Sequence, residues 1–100
     1  MPSLSRHTFR VELADGSVHE VTSSNADQIA WEETRARRKW PQVTEGAVVL
    51  WWTFLAWRAA SRAGVTSVDF STWKEKECVD VDNLTADEND GAGEDVDPTP

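Results

Sequence analysis

The chain contains one cysteine and no tyrosine. A single thiol, Cys78, excludes an internal disulfide, so oxidation adds nothing to the fold. Glycines in the first three quarters of the chain (Gly16, Gly46 and Gly64) are isolated, and no glycine-rich loop exists to cradle a phosphate. Long apolar runs are also missing. The longest, Ala47 to Trp57, is eleven residues broken by Thr53 and followed by Arg58 and Arg62. A membrane span needs about 20 residues, and a membrane-surface helix favours a broader basic face than two arginines supply. The opening "MPSLSRHTF" has no apolar core for a signal peptide, so a cytosolic protein is expected. Basic residues stop at Lys76: from Glu77 to Pro100 there are nine acids and no base, against nine acids and ten bases before that point. The net charge of -8 is therefore a property of the C-terminal segment. Such a chain is a poor general binder of nucleic acid, which requires clustered Lys and Arg to neutralise phosphate.

What remains is a chain of 100 residues, enough for one small domain, with six tryptophans. In "TFRVELADGSVHEVT", residues 8–22, Phe9, Val11 and Leu13 alternate with polar neighbours, and Asp15-Gly16 marks a turn. A three-residue loop of Ala14, Asp15 and Gly16, with Gly16 left-handed, places Phe9 opposite Val21 and Val11 opposite His19. It also sets Arg10 opposite Glu20, so the apolar groups share one face. A two-residue loop would scatter them. A hairpin alone is marginal in water and needs a cover.

Residues 25–39 read as a helix capped by Ser24 or Asn25 and stopped by Pro41. Asp27 near its start and Arg37, Arg38 and Lys39 near its end suit the helix dipole. Glu33 and Arg37 form a favourable i,i+4 pair. Its apolar set is thin: Ala26, Ile29, Ala30, Ala36 and Trp40, with Trp31 on the side away from Ile29. Residues 47–63 form the strongest helix, closed by Gly64. A short helix over 68–76, capped by Thr66 or Ser67, carries Phe70 and Trp73. Residues 77–100 combine low hydrophobicity with high charge and no aromatic residue, and are expected to be disordered. The expected fold is α+β and mainly helical. It comprises an N-terminal β-hairpin, two longer helices and one short helix in a single domain over residues 1–76, then the acidic tail.

The helix over 47–63 is apolar on two sides. At about 100° per residue, Ala47, Leu50, Phe54, Trp57 and Ser61 share one stripe. Val48, Trp52, Leu55, Ala59 and Ala63 share a roughly opposite one, and Trp51 lies between them on the side of Arg58 and Arg62. Either all of these residues are core, or one stripe is core and the other meets a partner helix or a second copy. The second reading sets the expectation here, because exposed aromatic patches mark interaction sites. It names Trp51, Trp52 and Leu55 as the centre of a partner-binding patch, with Arg58 and Arg62 at its rim.

Nothing in the sequence reads as an enzyme, a metal site or a cofactor site. His7 and His19 lack metal-ligand spacing, and Glu32-Glu33 reads as a solvated helix face. The cluster Arg35, Arg37, Arg38 and Lys39 is flanked by those acids and reads as a solvated or protein-binding face rather than a nucleic-acid site.

The order of a "DG" hairpin, "NADQIAWE" (25–32), "TFLAWRAASRAG" containing "FLAWRAA" (54–60), "FSTW" and an acidic tail ending in "DPTP" resembles the tail assembly chaperones of long-tailed bacteriophages of actinobacteria. The likeness covers roughly residues 8–76. It implies a helical protein of the infected host's cytoplasm that is absent from the finished virion. Such a protein binds the tape measure protein and keeps it soluble until tail-tube subunits assemble around it. The major tail protein and a second copy of this chain are further candidate partners. Neither nucleic acid nor membrane is expected as one. The resemblance also implies a programmed ribosomal frameshift, with this chain as the shorter of two products. The alternative is a small regulatory or antitoxin-like module that uses the tryptophan helix to fill a groove on its target.

Overall fold

The computed structural model describes residues 6–85. Residues 8–22 form the hairpin: β1 (Thr8–Leu13) and β2 (Val18–Thr22) pair antiparallel with Phe9 opposite Val21, Arg10 opposite Glu20 and Val11 opposite His19. This is the three-residue-loop register. Gly16 has φ 88°, a left-handed conformation that side chains resist. Its amide donates to the Leu13 carbonyl at 2.9 Å, and Asp15 accepts from the Ser17 amide and hydroxyl.

Helix α1 (Asn25–Arg38) begins at Ser24, whose amide donates to Asp27 Oδ2 at 2.9 Å, so a first-turn carboxylate ties down the entry of the chain. It ends at Lys39 in the left-handed conformation, and the Trp40 amide reaches back to the Arg35 carbonyl. Helix α2 (Val48–Arg62) stops where expected. Gly64 is left-handed, and the Val65 amide closes on the Ala60 carbonyl at 2.9 Å. Helix α3 is shorter than its sequence pattern suggests, because only Phe70–Thr72 is α-helical before the chain widens into a π turn over Trp73–Glu77. Its cap is Asp69, which accepts from the Thr72 amide at 2.9 Å.

The acidic segment departs from expectation. Cys78–Asn83 is a third strand, β3, antiparallel to β1 on the side opposite β2, so the sheet order is β2-β1-β3. Val81 sits opposite Val11, and Asn83 opposite Phe9. The register slips between Glu12 and Leu13, leaving Val79 as the extra residue of a bulge. β1 is flanked on both edges, and its inward residues Phe9 and Val11 are completely buried. The globular body therefore extends at least to Thr85, whose hydroxyl accepts from the Thr8 amide at 2.8 Å. The expected boundary at residue 76 falls inside it. The remainder of the expected disordered tail, residues 86–100, lies outside the described residues.

Helix α2 touches all three strands and also α1. That position explains its two apolar sides: one serves the sheet and the other serves α1. Phe54, Leu55, Ala56, Ala59 and Ala60 are all buried in one cluster with Phe9, Val11, Trp31, Phe70 and Trp73. The three alanines let neighbouring backbones come close, and the aromatic rings fill the remaining volume. Trp31, Trp40, Phe54, Trp57 and Phe70 form a connected set of rings with centroids 5.3–6.3 Å apart, the tilted or edge-on spacing aromatic pairs favour. The expected apolar set of α1 is corrected here. Ala26, Ile29 and Ala36 face solvent, and the helix buries Asp27 and Trp31 instead.

Candidate functional site

The five residues expected to form one partner-binding patch occupy four different environments. Leu55 has no solvent exposure and belongs to the core, so it is not a surface residue. It lies on the side of α2 that the sequence left for a partner, and the three-stranded sheet and its surroundings cover that side instead.

Arg58 and Arg62 do not rim a patch around Trp52. Both turn to Asp27, which is fully buried. Arg62 grips it with two bonds, Nη1 to Oδ1 at 2.9 Å and Nη2 to Oδ2 at 2.8 Å, and Arg58 Nε donates to Oδ1 at 3.1 Å. Arg62 Nη2 also reaches the Thr22 carbonyl at the end of β2, at 3.2 Å. Burial pushes the Asp27 carboxyl up. The bonds from Arg62, the Ser24 amide and Arg58 outweigh burial and hold it below its ordinary value. The same bond to Asp27 raises Arg62. The triad fastens the start of α1 to the end of α2. Asp27 was legible as a dipole-compatible acid, but nothing local announced partners 31 and 35 residues away.

Trp51 is half-buried and fixed at both ends. Its Nε1 donates to Gln28 Oε1 at 3.2 Å, and its ring meets His7 edge-on at 5.3 Å between centroids. Its amphipathic ring thus serves the joint between α1, α2 and the start of β1.

Trp52 is the one residue of the five that lines the groove beside β3. The groove runs between the first half of α2 and the edge strand β3, with Val49, Trp52 and Thr53 on one wall and Cys78, Val79, Asp80 and Val81 on the other. It encloses about 320 Å³. Val49 and Val79 are each 61% exposed. Two branched apolar side chains left in water beside a half-buried indole form a small, contiguous apolar surface of the kind that marks a contact site. Trp52 Nε1 is buried and meets no acceptor among the described residues. β3 itself is defended as an edge. It carries a bulge, and the outward Asp80 and Asp82 would repel a second copy of the same strand.

The sequence reading missed Val49, Val79 and Val81 as site residues. The signal for the last two was present: Val79, Asp80, Val81 and Asp82 alternate with period two. The surrounding charge obscured it.

Among the described residues no cluster of three His, Cys, Asp or Glu side chains could hold a metal ion. No described helix is long and apolar enough to cross a membrane. Cys78 sits in the groove wall with its thiol pushed up to about 11, first by burial and then by the nearby Asp80 carboxylate. A thiol so poorly ionised is a weak nucleophile. No protein-family model, no curated protein and no solved structure matches this chain.

Proposed function

We propose that this protein is a stoichiometric holding chaperone for a long helical client, in the role its resemblance to phage tail assembly chaperones implies. The client on that reading is the tape measure protein, met in the cytoplasm of the infected host. The observation that carries the reading is the α2–β3 groove. Its walls of exposed Val49 and Val79 beside Trp52 offer a docking line for the apolar stripe of an amphipathic helix. A client stripe laid there would exclude water from both valines and from the exposed part of the indole. Asp80 also lines the groove and favours clients that carry Lys or Arg beside the apolar stripe.

The test is co-production with the tape measure chain. Val79→Glu and Trp52→Glu each place a charge in the groove. Val79 is mostly exposed, so its substitution leaves the circular dichroism spectrum unchanged. The expected result is soluble client with the unaltered protein and insoluble client with Val79→Glu. Equal solubility with both would show that the groove is not the docking site. Insoluble client with both, the client being intact, would overturn the chaperone reading.

A further inference from the structure

The groove beside Trp52 is acidic at its rim. A second surface has the opposite character. Two hollows lie on the α1–α2 side of the body, of about 350 and 250 Å³, and they share Trp57 and Arg58. Together they form one basic surface in which Arg37, Arg38, Arg58 and Arg62 flank Trp40 and Trp57. No acidic residue lines either hollow. Arg38 lies over the Trp40 ring at 5.5 Å, which holds its planar cation against an aromatic floor. Arg58 spends only Nε on Asp27, leaving its two terminal nitrogens without a bond among the described residues. Asp27 neutralises one of the two arginines it binds, so the triad keeps an excess positive charge. Four guanidinium groups around an apolar floor make a surface suited to a carboxylate-rich segment.

The chain itself supplies such a segment. Residues 86–100 hold six acids (Asp87, Glu88, Asp90, Glu94, Asp95 and Asp97) and no base. The last described residue before them, Thr85, is linked to this surface through the sheet. Thr85 accepts from the Thr8 amide, Thr8 and Thr22 share a hydroxyl bond of 3.1 Å, and the Thr22 carbonyl accepts from Arg62. That path crosses two strand spacings, about 10 Å, which is roughly three extended residues. Asp87, Glu88 and Asp90 follow Thr85 at two, three and five residues, within reach of Arg62 and Arg58. A tether that short gives an effective concentration on the order of millimolar, which a free acidic chain seldom matches.

We infer that the basic surface of Arg37, Arg38, Arg58 and Arg62 is a docking site for the chain's own acidic segment, residues 86–100, bound in cis. The segment covers the arginines and leaves the α2–β3 groove as the open contact face. This inference stands independently of the client assignment.

Paramagnetic relaxation tests it on the full chain. A nitroxide is attached at Asp95→Cys in a Cys78→Ala background, and signals of the ¹⁵N-labelled protein are read. At about 20 mM salt the Trp57 indole and the Ser61 and Arg62 amides should lose intensity while the Trp52 indole keeps it, and at about 500 mM salt the loss should disappear. Arg37→Glu with Arg38→Glu should abolish the loss. So should Asp87→Asn, Glu88→Gln and Asp90→Asn together, which leave the body untouched. The inference is overturned if those signals keep their intensity at low salt, or if the loss survives high salt or the charge changes. It is equally overturned if the loss appears when spin-labelled, unlabelled-nitrogen protein is mixed with ¹⁵N protein lacking the nitroxide. That outcome would assign the surface to the tail of a second copy.

Discussion

Replacing Asp27 by Asn tests the joint between the two long helices. The carboxylate is fully buried and accepts four bonds, one from the Ser24 amide and three from Arg58 and Arg62. Asn keeps the shape but has one acceptor oxygen, and its amide group would point N–H donors at a guanidinium. Breaking a buried ion pair by removing one partner costs about 3–5 kcal/mol when the other charge is stranded. Here Arg58 and Arg62 retain side-chain exposures of 36% and 49%, so both can turn to water. The cost is therefore reduced to about 2–3 kcal/mol, equivalent to roughly 10–20 °C in melting temperature for a body of this size. The pH dependence has a definite sign. Because the folded-state pKa of Asp27 is depressed below 3.8, its contribution is complete above that value and disappears as pH falls through the folded value. Asp15, Asp69 and Glu75 are lowered as well, by bonds to Ser17, Thr72 and Lys74 respectively, so the unaltered protein loses stability in acid for several reasons. The difference between the unaltered protein and Asp27→Asn isolates the triad. Urea unfolding followed by tryptophan fluorescence should show a gap of about 2–3 kcal/mol at neutral pH that narrows as the pH falls below 3.8. A gap below about 0.5 kcal/mol at neutral pH, or one that widens in acid, would mean that burial cancels the ion pairs and the reasoning fails.

Three further outcomes follow from the packing. Leu55→Ala should cost about 2–5 kcal/mol in the free protein, because the side chain is wholly buried in the core; urea midpoints would measure it, and a loss under 1 kcal/mol would contradict its core position. A chain ending at Thr85 should unfold cooperatively like the full chain, whereas one ending at Glu77 should not, since it strips β3 from β1 and uncovers Val11 and Phe9; thermal melts by circular dichroism distinguish the two. Cys78 should react slowly with iodoacetamide at pH 8 in the folded protein and quickly in urea, because its thiol is raised to about 11 by burial and by Asp80; equal rates would show that the thiol is neither buried nor perturbed.

Much of the body was legible from local patterns. Alternation in residues 8–13 and 18–22, joined to Asp15-Gly16, was enough to set the hairpin register, because a one-residue slip would turn Phe9 and Val11 to water. The ends of α1 and α2 followed from Ser24, Pro41 and Gly64, whose backbone preferences act over a few residues. The third strand was not legible in the same way. Cys78–Asn83 alternates, but with aspartates on its outer face and one bulged valine, it has too little apolar content to declare itself. It becomes a strand because the free edge of β1 offers it a ladder of hydrogen bonds and because Val81 and Asn83 cover Val11 and Phe9.

The candidate site divides along the same line. That α2 is apolar on two sides is a property of its sequence, visible at about 100° per residue. Which side stays covered is not, because it depends on what lies across from each side. The sheet and α1 together close over Phe54, Leu55 and Ala59, and the exposed apolar surface moves to Val49, Trp52 and Val79, where α2 meets a strand absent from the sequence reading. Arg58 and Arg62 carry the same lesson in charge. Their positions on α2 were readable, but their partner was set by the crossing of α1 and α2, which brings a buried carboxylate from 31 and 35 residues away into reach. Periodicity and capping act between neighbours in the chain and so are written in it. Burial and ion pairing act between neighbours in space, and only the assembled tertiary structure sets those.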